Sequence, residues 1–442
     1  MSFSFSLAWL RNHIMWTNST HRVPSNRHLV RQTTAERHQK VNARFQLLLI
    51  SVLSCLLSLY FLSKSSYSSP QHSLNNPEVS KAAFLSDVTG TVFSETSNGR
   101  RSLAACDIYT GTWVPDNTSS VYSSSTCPFA EAGFSCQDNG RPDSDYLKWR
   151  WQPARCDIPK FNAEDIRRRL SGHRIAFVGD SMGRTQWESF ICLLMADITN
   201  KSSVYEVHGN TITKQRPYLA VRFSASNFTV EYYRSPYLVQ EGPPPKPVPK
   251  RIKTTLKLDK LEMAQSRWMR ADVLVFNTGH WWTPTKTFAR GCYFQVEKSI
   301  KLGVSIESAY RKALSTWASW VKTKVDLTKT QVFFRSYEPA HWEGNWRNRL
   351  CTSETKPMPN TSYTEDFPHL QVLHDVIKEV DAPVTVLNIT SMSAYRRDSH
   401  VANWTRGSKV VDCGHWCLPG LPDWWNTLLY AALLQKREGV WA

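Results

Sequence analysis

The chain has 442 residues, 41% of them hydrophobic and 12% aromatic, with 18 tryptophans. That much apolar surface excludes a disordered chain and is enough for one large catalytic domain with attachments. The formal charge is +17; seven cations against Glu36 alone put +6 of it in residues 1–44 and leave +11 for the rest, a balance that suits an acidic polymer as partner.

Taken in chain order, residues 1–44 read as a basic cytosolic tail. Residues 45–62, FQLLLISVLSCLLSLYFL, carry no charge. At ~1.5 Å per residue they reach across the ~27 Å core of an early secretory membrane. The tail in front places the N-terminus in the cytosol, so the sequence predicts a single-pass type II protein with a luminal C-terminal part, in the Golgi membrane. That topology sets nucleic acid aside as a partner. A cleaved signal peptide is the alternative; its charged region would be unusually long, and no small-residue cleavage site follows Leu62. The sequons at Asn117, Asn200, Asn227, Asn360, Asn388 and Asn403 all follow the span, as a luminal domain requires.

Residues 63–103 form a Ser-rich stem. Residues 104–158 are dense in Cys, Trp, Tyr and Gly, and read as a disulfide-stapled N-terminal lobe of short strands and turns. Nine cysteines follow the span, so in an oxidising lumen most pair and at least one does not. A zinc site at Cys413-x-His415-x-Cys417 is the alternative use of two of them, although its spacing is tighter than usual.

Residues 159–442 then alternate buried apolar runs with helical patterns. Strands are predicted at 173–178, 271–276, 330–334 and 384–387, and helices at 182–195, 304–325 and 421–435. A hairpin is expected within 218–233. A Pro-rich exposed loop follows at 241–250, made basic by Lys246, Lys250, Arg251, Lys253 and Lys257; it is either simply solvated or a lip for an anionic polymer. The pattern implies an α/β domain, a parallel sheet with helices on both faces.

Two segments carry chemistry. Gly179-Asp180-Ser181 lies between a buried strand and a helix, at the carboxyl end where open α/β sheets bind ligands. The helix N-terminus there offers N–H groups to a developing oxyanion. A capped helix with an incidental serine explains the same letters. Far along the chain, Asp412 and His415 sit three apart, so that Asp412 can hold one ring nitrogen while the other faces a serine. Cys413, Cys417, Pro419 and Pro422 would stiffen that loop. A third segment, Asn277-Thr278-Gly279-His280-Trp281-Trp282, follows a buried strand; Asn277 offers an amide to an oxyanion, and Trp281 or Trp282 a floor for a sugar.

Residues 178–189, VGDSMGRTQWES, and 412–426, DCGHWCLPGLPDWWN, resemble the plant trichome birefringence-like family. So do 106–113, 139–143 and 149–153, and the likeness runs from about residue 104 to the C-terminus. The resemblance implies an SGNH/GDSL-hydrolase-like domain with a small Cys-rich lobe, in a Golgi enzyme that O-acetylates cell-wall polysaccharide, xylan or pectin above all. It implies Ser181, Asp412 and His415 as catalytic residues. Gly179, Asp180, Arg184, Asn277 and Trp281 stand as oxyanion or substrate candidates. No bound cofactor or metal is expected; an acetyl donor such as acetyl-CoA enters as co-substrate. An esterase using the same residues, and a non-catalytic wall-polymer binder that preserves esterification, are the competing readings.

Overall fold

The computed structural model describes residues 103, 106–118, 120–343, 350–351, 354–359, 367–407 and 410–436. The tail, the expected anchor at 45–62, nearly all of the stem, Cys55 and the Asn360 sequon lie outside these residues. Among the described residues no helix is long and apolar enough to cross a membrane.

The N-terminal lobe is built on an antiparallel ribbon, β1 (Gly111–Pro115) against β2 (Trp149–Pro153). Trp113 opposes Trp151, with ring centroids 5.6 Å apart, and the Trp151 indole N–H donates to the Ile108 carbonyl at 3.0 Å. Short 3₁₀ turns make up much of the lobe, including Ala132–Phe134.

The larger domain begins with α1 (Ala163–Arg169), β3 (Arg174–Gly179) and α2 (Ser181–Met195). There follow β4 (Val204–Glu206), the hairpin β5 (Tyr218–Phe223) and β6 (Phe228–Arg234), then β7 (Val239–Gly242) and β8 (Thr254–Leu261). Next come α3 (Gln265–Trp268), β9 (Val273–Phe276), β10 (Cys292–Val296) and β11 (Ser299–Lys301). After these lie α4 (Ile306–Lys324), β12 (Gln331–Arg335), α5 (Pro368–Val380), β13 (Thr385–Leu387) and α6 (Thr390–Ala394). The last elements are β14 (His400–Ala402), β15 (Asp412–Trp416) and α7 (Leu421–Gln435).

Seven strands form the central sheet in the order β13-β12-β9-β3-β6-β5-β4. Five neighbouring strands pair in parallel, but β5 pairs antiparallel with β6 and with β4 on its other side, so the sheet is mixed where the sequence implied a parallel one. The hairpin 218–233 is the cause: it enters the sheet beside β3 through β6. Alternation along β3 shows why both faces are covered. Ile175 and Phe177 join the cluster that includes α2 and α7 residues, while Ala176 and Val178 join the one that includes α4 and α5 residues. A second sheet, β11-β10-β8-β7, was not read from the sequence, although LKLDKL in β8 alternates apolar and charged side chains. Nor was α5, an amphipathic helix that buries Val372, Leu373 and Val376.

Among the described residues, four disulfides are formed. Cys106–Cys156 closes the lobe on itself; Cys127–Cys192 and Cys136–Cys417 fasten it to the larger domain; Cys351–Cys413 holds the loop that carries β15. Cys292 is buried and free. The lobe is therefore tied to its neighbour more than to itself.

Candidate active site

β3 delivers the chain to the middle of the sheet, and the backbone turns sharply at Gly179. A Cβ there would fall 2.5 Å from the Asn277 carbonyl oxygen, so only glycine permits the approach. Asp180 is the N-cap of α2: its Oδ1 accepts from the Met182 N–H at 2.9 Å and from Asn277 Nδ2 at 2.7 Å. The Tyr232 hydroxyl, from neighbouring β6, donates to the Asp180 carbonyl at 2.9 Å. These bonds fix Ser181 as the first residue of α2, half-buried, at the carboxyl end of β3.

His415 approaches from β15. Its Nε2 lies 2.8 Å from Ser181 Oγ, and its Nδ1 lies 2.8 Å from Asp412 Oδ2. The second Asp412 oxygen accepts from the His415 and Gly414 backbone N–H groups at 2.9 and 3.1 Å. Burial works to raise the Asp412 carboxyl, but the hydrogen bond and charge of His415, with the two N–H donors, outweigh it and hold the group well below the carboxylate range. An ionised Asp412 keeps the proton on Nδ1, which leaves Nε2 free to accept the serine proton. The spacing read from the sequence thus brings the three residues into one chain of hydrogen bonds.

The loop is braced on several sides. Cys351–Cys413 and Cys136–Cys417 bracket His415, and using both cysteines in disulfides removes the zinc alternative. Behind it, His400 Nδ1 bonds the His415 carbonyl at 3.0 Å, and the His400 ring stacks on Trp416 at 3.8 Å. In front, Phe134 of the lobe stacks on the His415 imidazole, 5.4 Å between centroids and 28° between planes. The lobe is therefore a wall of the site, a role its cysteine spacing did not reveal.

Two of the oxyanion or substrate candidates, Asp180 and Arg184, are used differently from the expectation, and a third, Asn277, is partly committed. Asp180 is 1% exposed and caps the helix while holding Asn277, so it faces no substrate. Arg184 is 3% exposed: it pairs with Glu131 of the lobe and, at 3.1 Å, with Glu188 one turn along α2. It anchors the lobe to α2 instead of meeting a ligand. Asn277 lies against the first turn of α2, where Gly183 makes room for it, and one amide hydrogen is committed to Asp180. A second amide hydrogen and the Ser181 N–H, which has no acceptor among the described residues, are the donors left for an oxyanion. Trp282 is core, its indole N–H donating to Thr278 Oγ1 at 3.0 Å; Trp281 is half-exposed on the sheet rim. Glu131, Phe134, Glu188 and Tyr232 support the site without any local sequence signal.

A serine at the carboxyl end of a central parallel strand, backed by a capped helix and met by an Asp–His pair from a late loop, is the arrangement of a GDSL/SGNH-like acyl-ester enzyme. Residues 158–432 match the PC-esterase model, a GDSL/SGNH-like acyl-esterase family found in Pmr5 and Cas1p, and residues 104–157 match the PMR5 N-terminal domain. Among curated proteins of Arabidopsis thaliana, trichome berefringence-like 7 is 51% identical over 75% of this chain and 74% of its own length. Trichome birefringence-like 9 is 45% identical over 75% and 84%, and trichome birefringence itself 37% identical over 79% and 60%. The chain belongs to this trichome birefringence-like, PC-esterase family, whose domain supports acyl transfer or hydrolysis.

Proposed function

We propose that the chain transfers acetyl groups to hydroxyls of a plant cell-wall polysaccharide, xylan or pectin, through an acetyl-Ser181 intermediate. The unbroken relay from Ser181 Oγ through His415 to Asp412, two contacts of 2.8 Å each, carries this reading. His415 Nε2 takes the serine proton as Oγ attacks the carbonyl carbon of the acetyl donor. The oxyanion is met by the Ser181 N–H and the free Asn277 amide hydrogen. Collapse expels the donor's leaving group with the proton from His415, and a sugar hydroxyl, deprotonated by the same imidazole, then takes the acetyl group and restores Ser181. Acetyl-CoA is the donor to try first.

The location that goes with this is the Golgi lumen, with the anchor at 45–62. In support, Asn117, Asn200, Asn227 and Asn403 are exposed and open to glycan addition. Asn388 is less accessible, since the Thr390 hydroxyl of its sequon is buried and donates to the Tyr337 carbonyl at 2.6 Å.

The acyl-esterase description of the family favours hydrolysis as the second reading, in which water replaces the sugar at the acyl-enzyme. Full-length chain in detergent, incubated with acetyl-CoA and a panel of wall oligosaccharides, separates the two. Transfer adds an acetyl group to a sugar, whereas an esterase removes acetyl from pre-acetylated oligosaccharide. Ser181→Ala is expected to abolish either reaction with the fold retained; activity surviving in that variant refutes the mechanism.

A further inference from the structure

On the rim at the carboxyl ends of the central strands, Trp281 is ringed by cations. The Arg234 guanidinium lies 4.9 Å from its ring centroid, the Lys286 ammonium 4.8 Å, and the Arg290 guanidinium 5.7 Å. All three cations are exposed, and none has an ion pair or side-chain hydrogen bond among the described residues. Their mutual repulsion opposes this grouping, and an anion would relieve it. Two carboxylates, Glu241 and Glu262, line the same 170 Å³ cleft and offset part of this charge, although neither forms an ion pair with the three cations. Glu241 accepts from the Thr254 hydroxyl at 2.9 Å, and Glu262 from the Met263 N–H at 3.0 Å.

The position relates the cluster to the catalytic serine. Arg234 ends β6 and is the register partner of Gly179, while Trp281 follows β9 on the other side of β3. Their contact therefore spans the end of β3 from which Ser181 emerges. The ring is also held in place: Tyr237 packs edge-on at 5.8 Å and donates its hydroxyl to the Lys286 carbonyl at 3.0 Å. From Arg290 the charge continues along the surface, because the Lys253 N–H donates to the adjacent Gly291 carbonyl at 2.8 Å, which seats exposed Arg251 and Lys253 of the Pro-rich loop alongside.

We propose that Trp281, Arg234, Lys286 and Arg290 form a subsite for a carboxylate-bearing sugar ring of the acceptor polysaccharide. Trp281 covers the apolar face of the ring, and the cations take the carboxylate. Arginine supplies a planar fork suited to that group. Arg251 and Lys253 extend the track to further acidic sugars. The inference rests on the acyl-transfer reading for the acceptor's being a polysaccharide, but its charge preference is tested separately.

The experiment measures binding to full-length Ser181→Ala chain in detergent, so that no turnover intervenes. Two acidic probes are each compared with a neutral twin: an oligogalacturonide with its methyl ester, and a glucuronate-substituted xylo-oligosaccharide with the unsubstituted one. At least one acid should bind about tenfold more tightly than its twin at low ionic strength, with the difference shrinking as salt rises. Arg234→Gln/Lys286→Gln/Arg290→Gln should erase that preference, and Trp281→Ala should weaken acid and neutral forms alike, with thermal unfolding checked for each variant. Equal binding of acid and neutral forms of both pairs overturns the subsite, as does a preference that survives the triple substitution. Neither result touches the acyl chemistry, which stands or falls on Ser181-dependent turnover of a simple acetyl ester by the parent chain.

Discussion

Asp412→Asn tests the relay most directly, because one side chain makes three bonds with different consequences. Asp412 Oδ1 accepts from the Gly414 and His415 N–H groups, and Oδ2 faces His415 Nδ1. In the variant, the amide oxygen can keep the two backbone bonds only if the NH₂ group faces Nδ1. Reversing the amide would leave two N–H donors without an acceptor, at about 1–3 kcal/mol each where buried. The first orientation therefore wins, and it donates to Nδ1. The imidazole proton then moves to Nε2 and points at Ser181 Oγ, so the base becomes a donor. The expected loss is about 10⁴-fold in kcat, or about 5.5 kcal/mol of transition-state stabilisation, with stability lowered by only about 1–2 kcal/mol. KM should stay close to that of the parent, since Asp412 faces His415 and not the substrate. Steady-state hydrolysis of 4-nitrophenyl acetate gives both constants, with Ser181→Ala as the floor and thermal unfolding as the control. A variant that keeps more than about a tenth of the parent kcat would refute the claim that Asp412 sets the tautomer.

Other expectations follow from the surrounding packing. Gly183→Ala drives a Cβ into Asn277 Oδ1 and should cost about 1–3 kcal/mol as well as activity, whereas Gly133→Ala, whose Cβ meets nothing within 4 Å, should be silent in both thermal melts and turnover. Cys136→Ser/Cys417→Ser opens the crosslink between the Phe134 wall and the His415 loop; about 3 kcal/mol of stability should be lost, and activity should disappear at denaturant concentrations where the sheet is still folded, read by far-ultraviolet circular dichroism beside turnover. Stability should also depend on pH. Burial pushes the Glu188 carboxyl up to about 7 against the opposing charge of Arg184, and pushes Asp423 up to about 6 against the hydrogen bonds of Ser189, Tyr122 and the Gly420 N–H. The folded state therefore holds protons that the unfolded state has released, so these two groups lose stability as pH rises from about 4 to 7, by about 3 kcal/mol each. Asp412 acts in the opposite sense: its contribution is complete above its unfolded value and is lost only as pH falls below about 4. Burial holds the imidazoles of His341, His369 and His400 below their usual range, so these three lose stability as pH falls through about 6.5 and oppose the two carboxyls. The check is therefore a comparison of chains: the melting temperature of Glu188→Gln relative to the parent should be higher near pH 7.5 than near pH 5, and a pH-independent difference would show that Glu188 does not titrate in this window.

How much could be read in advance depended on the range of the forces involved. The capped serine was legible because its causes are local. An apolar run makes β3, Asp180 caps the next helix, and both lie within a few residues of Ser181. The four core strands and the helices α2, α4 and α7 were legible for the same reason, through period and burial. By contrast, β6 was legible as half of a hairpin but not as the neighbour of β3, since a strand's partner is chosen by the whole sheet and not by the strand. The amphipathic α5 and the β8 strand of the second sheet do have a pattern in the sequence, but the pairing of that sheet is set by tertiary contacts.

The functional residues divide along the same line. The sequence supplied the candidate cast, Ser181 with Asp412 and His415: the Asp-x-x-His spacing is local, and the resemblance to the family is what joined that pair to a serine far along the chain. Tertiary structure alone decided what the neighbours do. Arg184 turned from a substrate candidate into the partner of Glu131 and Glu188, and Asn277 was half committed to Asp180. Phe134, from a lobe that looked self-contained, became the wall against His415. Arg234, Lys286 and Arg290 are scattered charges along the chain, and only the order β9-β3-β6 and the loops that leave it gather them around Trp281. Residue type fixes what a group can do, but its partners across the fold decide which of those capacities is left free for a substrate.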